Sequence, residues 1–162
     1  MTRTGHHLTG LAAGLAVAGL LHAGLHPAGL SAIPAGWLGG IAPDRLEYAG
    51  RFRWVTHRTL THWGVPWLAL AGWAAWLVAT APDTPAWFVC ALSGFAAGGL
   101  SHLLGDWPNP MGIPWWLPNR RHALNWWTSG RYEWLIVPAA LGLVWAAWRL
   151  AGIGTTNFHW GL

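Results

Sequence analysis

The sequence predicts an all-α fold: a polytopic membrane bundle of four to five helical segments, with a histidine and carboxylate site at the cytoplasmic helix ends. Three observations carry this reading. Only 9% of the 162 residues are charged and 54% are apolar, with a mean hydropathy of +0.32, where a soluble domain carries about 25% charge. A water-facing surface cannot be built from so few charges. The apolar residues also gather into segments of helical span length, and most of the groups able to bind a metal fall at one end of those segments.

Other classes are excluded by composition. The chain has 22 Gly, 11 Pro and 16 Trp but no long Ser, Gln or Lys tract, so disorder is a poor reading. Its nine basic residues are all arginine against five acidic ones, and the pI near 10.7 would fit nucleic acid. Hydropathy overrides that: the arginines lie between apolar segments, where they face anionic lipid headgroups, so membrane lipids are the expected partners and specific nucleic-acid binding is not expected. The length suits a single domain over residues 1–162. Cys90 is the one cysteine, so an internal disulfide and a cysteine-based zinc cluster are both ruled out, and a metal must be held by His and carboxylates.

The first helix is expected over roughly Leu8–Leu21. Its Arg3 and small apolar residues imitate a signal peptide, but cleavage would discard His6 and His7, and the residues beyond Ala23 are more membrane sequence. Ala28–Ala42 is broken by Pro34 and several glycines and falls short of the roughly 20 residues of a full span, so a short or kinked return helix is expected. Trp63–Ala81 and Ala86–Leu104 are stronger spans joined by a tight Pro82–Pro85 turn. A last span runs from about Trp134 to Ile153. The polar loops are Pro43–Thr61 and Asp106–Glu133, and tryptophans 54, 63, 67, 107, 115, 116, 126, 127 and 134 in or beside them read as an interfacial belt. Gly10-x-x-x-Gly14 and Gly94-x-x-x-Gly98 have the spacing of close helix crossings, but in so Gly-rich a chain that spacing carries little weight.

Eight of the nine arginines fall at Arg3, Arg45, Arg51, Arg53, Arg58, Arg120, Arg121 and Arg131. The positive-inside rule then makes the N-terminus and both long loops cytoplasmic. Helix alternation collects His6, His7, Asp44, Glu47, His57, His62, His102, Asp106 and Glu133 in that same layer. Ionisable groups at membrane depth are costly and usually functional. His22, His26 and Asp83 fall on the other side, and His159 lies near the tail.

Three local units stand out. In Ser101-His102-Leu-Leu-Gly-Asp106 the His and Asp are four apart on one helix face, a spacing that shares a cation, lets the Asp orient the His, or makes a plain surface hydrogen bond. In His57-Arg-Thr-Leu-Thr-His62 the five-residue separation does not align on a helix, so His57 is expected from the loop and His62 from the first turn, with Thr61 as N-cap. In Pro43-Asp44-Arg45-Leu46-Glu47 the proline sets an acidic corner at a helix end. His122 sits among arginines and reads as lipid-facing or solvated.

Taken in order, His6-x-x-x-Gly10, Pro43-Asp44, Gly50-Arg51, His57-Arg58-x-x-Thr61-His62, Gly99-x-Ser101-His102-x-x-x-Asp106-x-x-x-Pro110-x-Gly112 and Gly130-x-x-Glu133 resemble the YdjM/YbcI-like family of bacterial inner-membrane proteins described as metal-dependent hydrolases. The resemblance covers almost the whole chain. It departs at Leu46, where that family commonly has an Asp, and at Asn109, where it has Thr; Glu47 is the carboxylate placed to substitute. A more remote likeness is to zinc-dependent phospholipase C and P1-type nucleases, a fold-level analogy.

The resemblance implies a divalent-metal site with His6, Asp44, His57, His62, His102 and Asp106 as ligands, zinc first and manganese second by ligand type. His6 takes the role over His7 through its spacing to Gly10. Glu47 or Glu133 is the expected base or a further ligand. Arg58 is the expected phosphate fork, or else a positive-inside anchor. The Trp107–Trp127 segment is expected at the interface as a lid, which favours a lipid or lipid-linked phosphoester as substrate. The competing expectation is a non-catalytic membrane protein that binds or transports a metal.

Overall fold

A computed structural model describes residues 1–21 and 27–152; His22, His26 and His159 lie outside them. The described chain is mainly helical, with α1 (Arg3–Leu20), α2 (Pro27–Leu30), α3 (Ala32–Arg45), α4 (Gly64–Thr80), α5 (Ala86–Asp106) and α6 (Glu133–Leu150). Between α3 and α4 a hairpin pairs β1 (Tyr48–Ala49) with β2 (Phe52–Arg53), and a single 3₁₀ turn covers Leu60–His62. The left-handed Gly50, φ +64°, makes the hairpin turn where a side chain would be strained.

Local chemistry sets several helix ends. The Thr2 hydroxyl caps α1 by accepting from the Gly5 N–H. Pro43 does not end its helix, because α3 runs through it and carries Asp44 in its last turn. Thr61 is not the N-cap of α4. That helix starts after Trp63 without a side-chain cap, and the Gly64 N–H donates instead to the Pro114 carbonyl at 2.9 Å.

Helix α3 is the centre of the bundle. It packs on both α1 and α5, which also touch each other, while α4 lies against α5 and α6 against α1. The small-residue spacing is what lets these three backbones meet, although its frequency in so Gly-rich a chain makes it a weak sign beforehand. A Cβ added at Gly98 would stand 2.1 Å from the Gly36 carbonyl oxygen, and one at Gly10 would stand 2.7 Å from the Cα of Gly40. Gly39 meets the Phe95 carbonyl in the same way, at 2.1 Å. Such approach is open only to glycine, and it stacks the end of α3 against the start of α1 and the end of α5.

Helices α5, with 21 residues, and α6, with 18, are long and apolar enough to cross a membrane, and α4 is a shorter apolar helix of 17. Helix α5 is half buried in the bundle, whereas α6 turns Leu141, Leu143 and Trp145 outward. The Ser31 hydroxyl bonds the Trp87 carbonyl at 2.7 Å, tying the start of α3 to the start of α5. The Pro82–Pro85 turn therefore lies about 30 Å, one 21-residue helix, from Asp106.

The tryptophans divide between two roles. Trp54, Trp116, Trp126 and Trp134 are exposed in or beside the two long loops. Trp67 does not join the expected interfacial belt. It is 6% exposed, fills the space over Gly99, and donates to the Thr61 carbonyl at 2.9 Å. Trp107 and Trp115 meet edge to face at 5.3 Å and pack beside Leu103 and Ile113.

Candidate metal centre

Four elements bring polar side chains to one point: the start of α1, the last turn of α3, the 3₁₀ turn and the last turns of α5. His62 Nε2 and His102 Nε2 are 3.1 Å apart. Asp44 Oδ1 lies 3.3 Å from the first and 3.7 Å from the second. Asp106 Oδ2 lies 3.8 and 3.6 Å from the same two nitrogens. A tetrahedron with metal-ligand bonds of about 2.0–2.1 Å has edges of about 3.3–3.4 Å, so the two imidazole nitrogens together with either carboxylate are spaced to share one small divalent cation.

The protonation pattern makes the same point. His102 Nδ1 donates to the Gly40 carbonyl at 2.7 Å, which puts its proton there and leaves Nε2 as a lone pair. His62 Nδ1 sits 3.1 Å from Thr61 Oγ1, whose hydroxyl is within 3.5 Å of Glu47 Oε1, and 3.3 Å from that oxygen itself. His62 Nε2 faces the Asp44 carboxylate at the same 3.3 Å, so the ring meets a carboxylate oxygen at each of its nitrogens. Two imidazole nitrogens, with Asp44 Oδ1 and Asp106 Oδ2 each within 3.8 Å of both, therefore converge, and the lone pair of His102 is one of them. His62, His102 and Asp106 are almost fully buried, which makes uncompensated convergence costly. Burial raises the pKa of the Asp44 carboxyl. The hydrogen bond with His62 and the fields of His102, His62 and His6 outweigh this and bring it to about 2, so it is ionised at neutral pH.

The neighbours hold these groups in place. The His6 ring stacks on His102 with centroids 3.6 Å apart, and its Nε2 is 3.2 Å from Asp106 Oδ1. His6 is buried, while His7 lies out against Trp37, so the structure separates the two histidines as the Gly10 spacing does. The Met1 amine also reaches Asp106 Oδ1, at 2.7 Å. Glu47 is buried and accepts from His57 Nδ1 at 2.8 Å and from the Arg58 N–H at 2.9 Å. Metal-competent groupings within 4.8 Å are Asp44 with Glu47, His57 and His62; His6 with Asp44 and His102; and His62 with His102 and Asp106. All six residues expected as ligands belong to at least one of them.

Two expected site residues have other partners than expected. Glu133 accepts from the Thr2 N–H and, at 2.6 Å, from the Thr2 hydroxyl. It anchors the start of α1, the helix on which α6 packs. Arg58 is neither a free phosphate fork nor an interfacial anchor. It is 7% exposed, holds Asp106 Oδ2 at 2.8 Å, points another nitrogen at the Gly112 carbonyl at 3.5 Å, and takes a left-handed φ of +56°. His122 is exposed and its backbone bridges to Ile113.

A cleft of about 520 Å³ opens onto the cluster, lined by His6, Asp44, Glu47 and His57 and by Arg3, Arg45 and Arg53. Sequence reasoning singles out Arg58 and misses these three, which read as headgroup anchors. The hairpin register, Tyr48 opposite Arg53, is the signal that turns Arg53 toward the site.

The fold and site together define a mainly helical protein with two helices long and apolar enough to cross a membrane and a His and carboxylate cluster at one end of its bundle. The chain belongs to the YdjM inner membrane protein family, whose model matches residues 1–161. A search of curated proteins found no match. A search of solved structures also found none, and the remote likeness to phospholipase C and P1-type nucleases gains no support.

Proposed function

We propose that the protein is a metal-dependent hydrolase of the inner membrane that cleaves a phosphoester, lipid or lipid-linked, at the cytoplasmic face of a multi-pass bundle. The observation that carries this reading is the cage: two imidazole nitrogens 3.1 Å apart, with a carboxylate oxygen of Asp44 and one of Asp106 each 3.3–3.8 Å from both, beside an open cleft. The mixed nitrogen and oxygen set favours zinc, with manganese next. Such a cation, when bound, lowers the pKa of water toward about 7 and neutralises charge on a phosphoryl oxygen.

The chain's own groups have distinct tasks in this reading. His62, His102, Asp44 and Asp106 hold the cation, and His6 buttresses His102 and Asp106. Arg58 holds the same Asp106 oxygen that faces the two imidazoles, and the Met1 amine and His6 hold the other. Glu47 fixes His62, and with the His57 ring bonded to it forms the proton-accepting pair at the cleft wall. A metal carrier would place its ligands at mid-membrane in broken helices, whereas these come from helix ends in one layer.

The eight arginines in the N-terminal segment and the two long loops support a cytoplasmic site under the positive-inside rule. In membrane vesicles, a cysteine at Asp83→Cys is expected to react with an impermeant thiol reagent from the side opposite one at Arg51→Cys. Labelling from the same side removes the proposed topology.

The catalytic reading is tested with full-length protein reconstituted in lipid and supplied with zinc or manganese. Turnover across lipid and nucleotide phosphoesters is expected to vanish with a chelator, return with metal, and fall at least ~100-fold in His57→Ala and His62→Ala, the scale of a lost proton-transfer group. If the wild type releases no more product than these variants, the hydrolase assignment gives way to a non-catalytic metal-binding protein.

A further inference from the structure

Three arginines line the cleft from three separate elements: Arg3 from the first turn of α1, Arg45 from the last turn of α3, and Arg53 from β2. Arg53 is built into place. Its Nη2 donates to the Tyr48 hydroxyl at 2.5 Å, its guanidinium lies over the Tyr48 ring at 5.0 Å, and its Nε is 3.7 Å from Glu47 Oε2. Arg3 and Arg45, among the described residues, have neither a hydrogen bond nor an ion pair to their side chains. A headgroup anchor points outward to the bilayer surface; these line a cavity whose wall also carries Asp44 and His6 of the cage.

The charges fix what such a cavity takes. Inside the cage, Asp44, Glu47 and Asp106 are already more than offset by Arg58, the Met1 amine and one divalent cation. The three cleft arginines are then in excess, and an anion of one charge leaves most of that excess uncompensated. We propose that Arg3, Arg45 and Arg53 form a clamp for the doubly charged end of a phosphomonoester, selecting it over a singly charged phosphodiester. Planar guanidinium forks pair with phosphate oxygens two at a time, so three of them can cover a terminal phosphate that has no second ester arm. This narrows the substrate class of the proposed hydrolase, and it rests on that site while making its own claim about binding.

Binding of inorganic phosphate to the zinc-loaded, detergent-solubilised full chain, read by calorimetry, tests the clamp without turnover. Wild type is expected to bind phosphate at least ~10-fold more tightly than dimethyl phosphate, one charge-assisted contact being worth about that factor. Arg45→Gln and Arg3→Gln are each expected to weaken phosphate binding ~10-fold with metal content unchanged, and Arg51→Gln, outside the cleft, to leave it unchanged. Equal affinity for dimethyl phosphate, or phosphate binding unaltered in both cleft variants, overturns the proposal. Competition by phosphatidic acid vesicles, or by soluble phosphoserine, identifies a lipid or a soluble source; competition by neither also overturns it. A protein that binds phosphate in this arginine-dependent way but turns nothing over loses the hydrolase reading and keeps the clamp. One that turns over diesters with unchanged KM in the cleft variants does the reverse.

Discussion

Replacing Gly98 by alanine is expected to lower the melting temperature of the solubilised protein by about 6–12 °C, the equivalent of about 3 kcal/mol in a chain of this size. The added Cβ would meet the Gly36 carbonyl oxygen at 2.1 Å and the Gly40 amide nitrogen at 2.9 Å. Both are backbone atoms in the middle of α3, so no side chain can swing aside and the two helices must part. Parting them also draws His102 away from the Gly40 carbonyl, so bound metal is expected to fall together with stability. The matched controls are Gly72→Ala in α4 and Gly142→Ala in α6, where nothing lies within 4 Å of the added atom. These should hold or raise the melting temperature, since alanine is the better helix former by about 1 kcal/mol. A Gly98→Ala protein as stable as its controls would remove the close crossing of α3 and α5.

His102→Ala is expected to have the largest effect on the centre itself, with metal affinity falling more than ~100-fold, because loss of an outer-shell partner alone costs about 10–100-fold. The residue supplies one cage nitrogen, carries the His6 ring and occupies a fully buried position. Metal content after gel filtration is the readout. Asp44→Asn is the companion variant, since Asp44 is 42% exposed at the cleft and its replacement leaves no buried void. Unchanged metal content in folded protein for both variants would dissolve the cage.

Much of this arrangement is legible in the sequence. Apolar run lengths place α4, α5 and α6 to within about three residues but start α1 five residues late and merge α2 with α3, and helix alternation puts His6, Asp44, His62, His102 and Asp106 at one end of the bundle. What alternation cannot give is lateral position around the bundle. Glu133 shares the right end but sits on the outer side of α1, where it binds Thr2. Arg58 shares a sequence neighbourhood with headgroup arginines, and only the left-handed backbone at that residue carries it inward to Asp106. Trp67 resembles the interfacial tryptophans in every local respect; the space above Gly99 that draws it inside is made by a residue far along the chain. The glycine crossings are hidden by abundance, because 22 glycines generate the four-residue spacing many times over.

The contact between Gly40 and His102 has a consequence for how the cation is acquired. The bond that fixes the His102 tautomer runs to a helix backbone, and that backbone is set by glycine contacts remote from any ligand. The rotamer and protonation state of this ligand are thus settled when the helices assemble, so little conformational entropy remains to be lost on loading. Zinc fingers, by contrast, fold only as they bind. Here the stripped protein should keep its helical content and its cooperative unfolding, and added metal should raise its melting temperature only by the mass-action amount set by concentration over Kd. Loading can then come after membrane insertion as a separate event, and the same chain can be emptied and refilled without leaving its fold.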